Sequence, residues 1–362
     1  MSLYLAAIQI NATRIALDAP TYFIADIAAN HDGDLERAQH LIHLAAQAGA
    51  NAAKFQHFKA ESIVSDYGFK QLGGQLSHQK AWKKSVYEVY QDASLQAEWT
   101  ATLKASCEQA GIDFFTSPYA QDIVDAVGPY LPAYKIGSGD ITFLSLVEHI
   151  AKKNKPVLLA TGASTLEEVK QAVACITRHN PQVVLMQCNT NYTASRDNFK
   201  HIQLKVLHTY QREYPGMILG LSDHTPGHST VLGAIALGAR VIEKHFTDDN
   251  SRTGPDHLFS MNPATWRDMV ERSRELEMAL GDGVKTIEAN EQETARLQRR
   301  CLRLVRDLPT GYVLTAADLE ALRPVHPGSY EPFRLHELVG KRLLTAQPAG
   351  YAVVATDLAT GQ

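Results

Sequence analysis

The stretch ARVIEKHF, residues 239–246, follows the apolar run VLGAIALG and sets Glu243, Lys244 and His245 at consecutive positions. In an extended chain side chains alternate faces, so Val241, Glu243 and His245 share one face and Ile242, Lys244 and Phe246 the other. A strand that only filled a core has no use for an acid and an imidazole on one face. The plain alternative is a strand end breaking surface with a solvated charge cluster, and the rest of the chain decides between the two.

Seven further short apolar or β-branched runs precede it: YFIADIA (22–28), NAAKFQ (51–56), IDFFTS (112–117), AYKIGS (133–138), PVLLATG (156–162), QVVLMQC (182–188) and MILGLSD (217–223). Amphipathic helical stretches such as LERAQHLIHLAAQAG and TLEEVKQAVACITRH lie between them, several ending in a glycine suited to a helix C-cap. Eight alternating units predict an α/β fold, a (β/α)8 TIM barrel, complete near residue 281 and assigned to 1–285. A doubly wound open sheet is the alternative, but no GxGxxG turn is present. Residues 286–300, TIEANEQETARLQRR, read as a charged linker, and 301–362 as a small module of short strands and turns. Its phrases LVRDLPTGYVLTAADL and LLTAQPAGYAVVATDL suggest an internal repeat.

The 362 residues are 45% hydrophobic, enough for a sizeable core, and carry a formal charge of -4, which leaves no basic footprint for nucleic acid or an anionic membrane. No long apolar run or signal-like start is evident, so a cytoplasmic protein is expected. Cys107, Cys175, Cys188 and Cys301 are scattered without CxxC spacing, and read as buried thiols rather than disulfide or structural zinc ligands.

In such a barrel the active site is built at the C-terminal strand ends. There the sequence places Asp26 with Asn30 and His31, Lys54 and Gln56, Ser117, Lys135 and Ser138, Thr161, Thr190 and Tyr192, Ser222 with Asp223 and His224, and Glu243 with His245. His224 and His245 stand one βα unit apart and could reach one divalent ion, leaving positions open for a Lewis-acid role. Two histidines hydrogen-bonded locally are the simpler alternative. Lys54 and Lys135, with the serine hydroxyls, suit a phosphate plus a carboxylate. Either lysine could instead form a Schiff base. Asp26 and Glu243 could act as acid or base, or balance charge.

The motifs IADIAANHDGDLERAQHLIHLAAQAGANAAKFQ (24–56), FFTSPY (114–119), AYKIGSGD (133–140), ATGAST (160–165), GLSDHTPG (220–227), ALGARVIEKHFT (236–247) and GPDHLFSM (254–261) resemble the sialic acid (N-acetylneuraminate) synthase family of phosphoenolpyruvate-dependent nonulosonate synthases. The tail, with LRP at 322–324 and ELVGKRLL at 337–344, resembles their SAF, or antifreeze-like, domain. The resemblance implies condensation of phosphoenolpyruvate with an acylated amino-hexose of N-acetylmannosamine type; legionaminic or pseudaminic acid synthesis from a deoxy diacetamido hexose is the alternative. It implies a divalent ion on His224 and His245, manganese first, magnesium or cobalt otherwise. Lys54, Ser117, Lys135, Ser138, Thr190 and Ser222 would hold phosphoenolpyruvate. Gln56, Tyr192, Asp256 and, across a domain-swapped homodimer, Arg323 would meet the sugar. The family usually carries glutamate where this chain has Asp26 and Asp140. The shorter Asp26 implies proton transfer through a water, and Asp140, in the sugar pocket, an altered acceptor. A non-catalytic sugar-binding module is the rival reading.

Overall fold

A computed structural model describes residues 3–72, 79, 80 and 82–359. The chain divides into two compact units, Met1–Gly281 and Asp282–Gln362.

The first unit opens with an antiparallel hairpin, β1 (Ala7–Ile10) and β2 (Thr13–Ala16). Eight strands follow: β3 (Tyr22–Asp26), β4 (Ala52–His57), β5 (Asp113–Pro118), β6 (Tyr134–Ile136), β7 (Val157–Ala160), β8 (Val183–Cys188), β9 (Ile218–Asp223) and β10 (Ala239–His245). They form one parallel sheet in the order β5-β4-β3-β10-β9-β8-β7-β6, and its edge strands β5 and β6 lie side by side, so the barrel is nearly closed. Each strand coincides with one of the eight apolar runs to within a few residues.

Period-two alternation separates two cores. Phe23, Ala25, Phe55, Ile242 and Phe246 face outward and pack beneath the helices. Tyr22, Ile24, Phe115, Met186 and Val241 face inward and fill the barrel together with Ile8, Ile10 and Ile15 of the hairpin. The hairpin escaped the sequence reading, although Ile8 and Ile10 alternate and Asn11, at φ 46°, makes the turn. Gly220 is required inside: a Cβ there would stand 2.7 Å from the Val241 carbonyl oxygen and 2.9 Å from Met186 Cγ.

Lys244 faces outward yet is buried, because it is ion-paired with Asp223 and donates to the Thr225 carbonyl at 2.6 Å. The hydroxyls of Thr225 and Thr230 also donate to Asp223, at 2.8 and 2.7 Å. Asp223 therefore belongs to the outer layer and not to the rim where the sequence reading set it: in β9, Ser222 points in and its neighbour points out.

In the second unit, β11 (Cys301–Leu304) pairs antiparallel with β12 (Leu319–Leu322) over a core of Leu302, Leu304, Leu308, Leu338 and Val353. The stretch read as a linker contains an α-helix, Gln292–Gln298. The internal repeat is structural. Leu308 and Gln347 exchange backbone hydrogen bonds across its two halves. In each half a tyrosine hydroxyl, Tyr312 or Tyr351, donates to the aspartate six residues on, Asp318 or Asp357.

Two stability predictions follow from the barrel. Lys244→Met strips a buried carboxylate of its counter-charge and should lower the unfolding free energy by about 3–5 kcal/mol. The double variant Asp223→Asn/Lys244→Met should recover more than half of that in urea denaturation. His57 is buried between the Thr116 and Thr100 hydroxyls at 2.7 and 2.9 Å, and burial lowers its pKa to about 4 from the ordinary 6.5. A depressed imidazole resists protonation only when folded, so its stability is intact above pH 6.5 and is lost as pH falls toward 4. At about 1.4 kcal/mol per unit the loss amounts to roughly 3 kcal/mol. Unfolding free energies at pH 7.5 and 4.5 should therefore differ less in His57→Gln than in the unsubstituted chain.

Candidate active site

The inward residues change character two steps beyond the apolar filling. On β3 Ile24 gives way to Asp26, on β4 Ala52 to Lys54 and Gln56, on β5 Phe115 to Ser117, and on β10 Val241 to Glu243 and His245. The same alternation delivers Lys135 on β6, Cys188 on β8 and Ser222 on β9. These side chains line one cavity of about 330 Å³, counted with its mouth, joined by Ser138, Tyr192 and His224 from the loops that follow β6, β8 and β9.

At its floor Lys54 Nζ lies 2.6 Å from Asp26 Oδ2 and 3.6 Å from Glu243 Oε1. Lys135 Nζ lies 3.1 Å from that same Glu243 oxygen, to which Ser222 Oγ donates at 3.2 Å. Burial would push the Glu243 carboxyl up, but Lys135 and Lys54 outweigh it and hold the pKa at about 2. For Asp26 burial wins: despite Lys54, and with Glu243 adding repulsion, its carboxyl is raised above the usual range. Burial pulls the Lys54 ammonium down, yet Asp26 and Glu243 together raise it overall. The floor thus holds two paired cations whose counter-ions are shared.

The imidazole rings of His224 and His245 lie 5.4 Å apart between centroids. His224 Nδ1 stands 2.9 Å from the Asn189 carbonyl oxygen, which can only accept, so the proton sits on Nδ1 and the Nε2 lone pair is free. Burial lowers His224 to about 3, with His245 adding to the effect, and lowers His245 to about 4, so both are neutral. Nε2 of His245 is 3.6 Å from Asp26 Oδ2, and its Nδ1, 3.7 Å from Asp256 Oδ2, has no hydrogen-bond partner among the described residues. Ser117 Oγ and Glu243 Oε2 are likewise buried without one. Such concentrated unspent hydrogen-bonding capacity is expected where a polar ligand completes the arrangement.

Eleven of the residues singled out from the sequence line this cavity: Asp26, Lys54, Gln56, Ser117, Lys135, Ser138, Tyr192, Ser222, His224, Glu243 and His245. Asp256 flanks it behind His245 and accepts a hydrogen bond from the Ala29 amide at 3.2 Å. Thr190, Ser138 and Cys188 crowd Gly162, where a Cβ would come within 3.1 Å of all three. Asp140 sits half-buried on the turn after β6, and burial raises its pKa to about 6. Arg323 is exposed at the end of β12 in the second unit. His31 and Asn30 serve structure: His31 Nδ1 accepts from the Gly33 amide, and Asn30 donates to the Phe246 carbonyl and Ser260 Oγ. Tyr119 and Cys188 line the cavity without having been singled out for it. Tyr119 lies two residues beyond Ser117 and Cys188 two beyond Met186, so the alternation itself was the signal.

The NeuB family model matches residues 41–285, and that of the SAF domain residues 299–359. The N,N'-diacetyllegionaminic acid synthase of Legionella pneumophila is 34% identical over 91% of this chain and 92% of its own length. The human N-acetylneuraminate-9-phosphate synthase is 30% identical over 90% and 89%. The crystal structure of N-acetylneuraminic acid synthetase from Leptospira borgpetersenii, 27% identical, superposes with a TM-score of 0.69 over 80% of this chain and 94% of that one. A truncated 3-deoxy-D-arabino-heptulosonate 7-phosphate synthase from Thermotoga maritima, 17% identical with a TM-score of 0.58, shares the fold. With the barrel matched by the one family and the tail by the other, the chain belongs to the NeuB family and carries a C-terminal SAF domain.

Proposed function

We propose that the protein condenses phosphoenolpyruvate with the aldehyde form of an acylated amino-hexose, giving a nine-carbon 2-keto sugar acid and phosphate. The observation that carries this reading is the cavity floor: Lys54 and Lys135, both buried, converge on Glu243 beside the unspent hydroxyl of Ser117. That arrangement suits a small ligand bearing a phosphate and a carboxylate. Lys54, Lys135, Ser117, Ser138, Ser222 and Thr190 hold phosphoenolpyruvate in this reading, while Gln56, Tyr192, Asp140 and Asp256 meet the sugar. As acceptor we favour a deoxy diacetamido hexose over N-acetylmannosamine. Two relatives named as N,N'-diacetyllegionaminic acid synthases share 34% and 33% identity, against 30% for the human N-acetylneuraminate-9-phosphate synthase.

The neutral imidazoles of His224 and His245 fit a divalent ion, manganese first and magnesium or cobalt otherwise, which when bound supplies Lewis-acid polarisation of the acceptor carbonyl. In the reaction, C3 of the enol bonds to the aldehyde carbon and the carbonyl oxygen takes up a proton. C2, left electron-poor, takes up water, which gives up a proton; the adduct then expels phosphate as the C2 carbonyl forms. Asp26, raised by burial, is the carboxylate suited to receive that proton, through a water because its side chain is short. Glu243, held ionised, keeps the two ammonium groups in register.

Chelation should abolish phosphate release from phosphoenolpyruvate, with activity down by about a hundredfold or more and restored by manganese. His224→Ala and His245→Ala should reproduce the loss without rescue. A panel of N-acetylmannosamine and deoxy diacetamido hexoses identifies the acceptor, and preference for N-acetylmannosamine would refute the choice made here. Lys135→Met should raise the KM for phosphoenolpyruvate by roughly 10- to 100-fold through loss of a charge-assisted contact. Covalent trapping of a keto acid by borohydride would instead favour a Schiff-base aldolase.

A further inference from the structure

The floor accounts for an anion, but the cavity continues one inward step above it. Gln56 lies two residues beyond Lys54, Gly137 two beyond Lys135 and Tyr119 two beyond Ser117, and all of them line the cavity. Two residues of strand rise about 6.6 Å, so this second tier stands nearer the mouth. The Tyr119 amide donates to the His57 carbonyl at 3.1 Å, which extends the pairing of β4 with β5 to that residue and keeps its side chain on the inward face of Ser117. Its ring is held from two sides. Phe58 packs against it edge on, 5.9 Å between centroids. On the other side a Cβ on Gly137 would stand 3.3 Å from the Tyr119 hydroxyl oxygen and 3.7 Å from its Cε1. Gly137 has φ -70° and ψ 153°, a conformation open to any residue, so the backbone does not demand glycine there; the missing side chain makes room for the phenol. The hydroxyl so placed has no hydrogen-bond partner among the described residues. Burial raises its pKa well above the ordinary 10, so it stays a neutral donor.

Among the described residues that line the cavity, the lysines and their attraction for an anion belong to the floor. The second tier offers an amide, a phenol and neutral imidazoles instead, groups that exchange hydrogen bonds with an uncharged polyol. His245 belongs to this tier, two residues beyond Glu243. In the sheet β5 and β6 each lie four strands from β9 and β10 respectively, so Tyr119 and Gly137 occupy the side of the mouth opposite His224 and His245. A ligand whose carbonyl meets the imidazole pair and whose chain crosses the mouth therefore arrives at the phenol. Clamped between Phe58 and Gly137, that phenol has little rotamer freedom left to lose on binding. We propose, on the basis of the synthase reading above, that Tyr119 is a specificity-determining residue of the acceptor site, its hydroxyl hydrogen-bonding the acylamino-sugar away from the aldehyde.

The test is steady-state phosphate release by Tyr119→Phe, Gly137→Ala and the double variant in the full chain, with phosphoenolpyruvate and each of N-acetylmannosamine and the deoxy diacetamido hexoses varied separately and thermal midpoints recorded. Loss of the hydroxyl should raise the acceptor KM about three- to tenfold, as expected for one hydrogen bond. The KM for phosphoenolpyruvate should stay within about twofold, a split that general loosening of the barrel would not give. Gly137→Ala sets a methyl against the hydroxyl and should raise the acceptor KM to a similar extent. With phenylalanine at 119 the closest ring atom would be 3.7 Å from that methyl, an ordinary contact, so the same change should then cost less than about twofold. If Tyr119→Phe does not fold, Gly137→Ala decides by the same KM split. An acceptor KM unchanged in Tyr119→Phe, a parallel rise in both KM values, or a cost of Gly137→Ala equal in both backgrounds overturns the inference and leaves the synthase reading standing. Absence of phosphate release by the unsubstituted protein with every acceptor overturns both.

Discussion

The site depends on Glu243 standing between Lys54 and Lys135. Each charge would cost several kcal/mol to bury alone, and only close mutual pairing makes such burial tolerable. Glu243 meets both ammonium groups through a single oxygen, while its second oxygen has no hydrogen-bond partner among the described residues. The floor is therefore balanced in charge but incomplete in hydrogen bonding. A floor of hydrophobic residues would be as stable and chemically inert; this one keeps two ammonium groups desolvated, so their attraction for an arriving anion is little weakened by water.

The barrel makes this possible by dividing labour along each strand. On β10 the inward face runs from Val241, in the apolar filling, through Glu243 to His245 at the mouth, while Lys244 on the other face is bound to Asp223. Two buried ion systems on neighbouring residues thus stay separate because the backbone turns them to opposite sides. The apolar layer beneath, sealed by Ile8, Ile10 and Ile15 of the hairpin, keeps the charged layer at one end of the barrel.

That periodicity also explains what could be read from the sequence. The eight apolar runs located the barrel strands because a parallel sheet covered by helices needs nearly continuous apolar segments. Most of the site followed from taking the polar residues at their C-terminal ends. The errors arose where facing had to be assigned at the end of a run: Asp223 was counted inward although Ser222 holds that face, and Tyr119 and Cys188 were overlooked although alternation marks both. The hairpin was missed because four-residue strands are too short for a periodic signal.

The short acid at position 26 gains meaning from the same floor. Asp26 Oδ2 is 2.6 Å from Lys54 Nζ and 3.6 Å from His245 Nε2, so one carboxylate oxygen touches the cation and faces the His245 imidazole. Lys54 is the main force lowering its pKa against burial. In the proposed reaction an anionic donor would share the Lys54 ammonium with Asp26, and that restraint would weaken. Burial and the repulsion of Glu243 then act on Asp26 with less opposition, raising its proton affinity when water is to be deprotonated. A longer side chain would reach farther, but the aspartate is held where substrate binding itself can make it more basic.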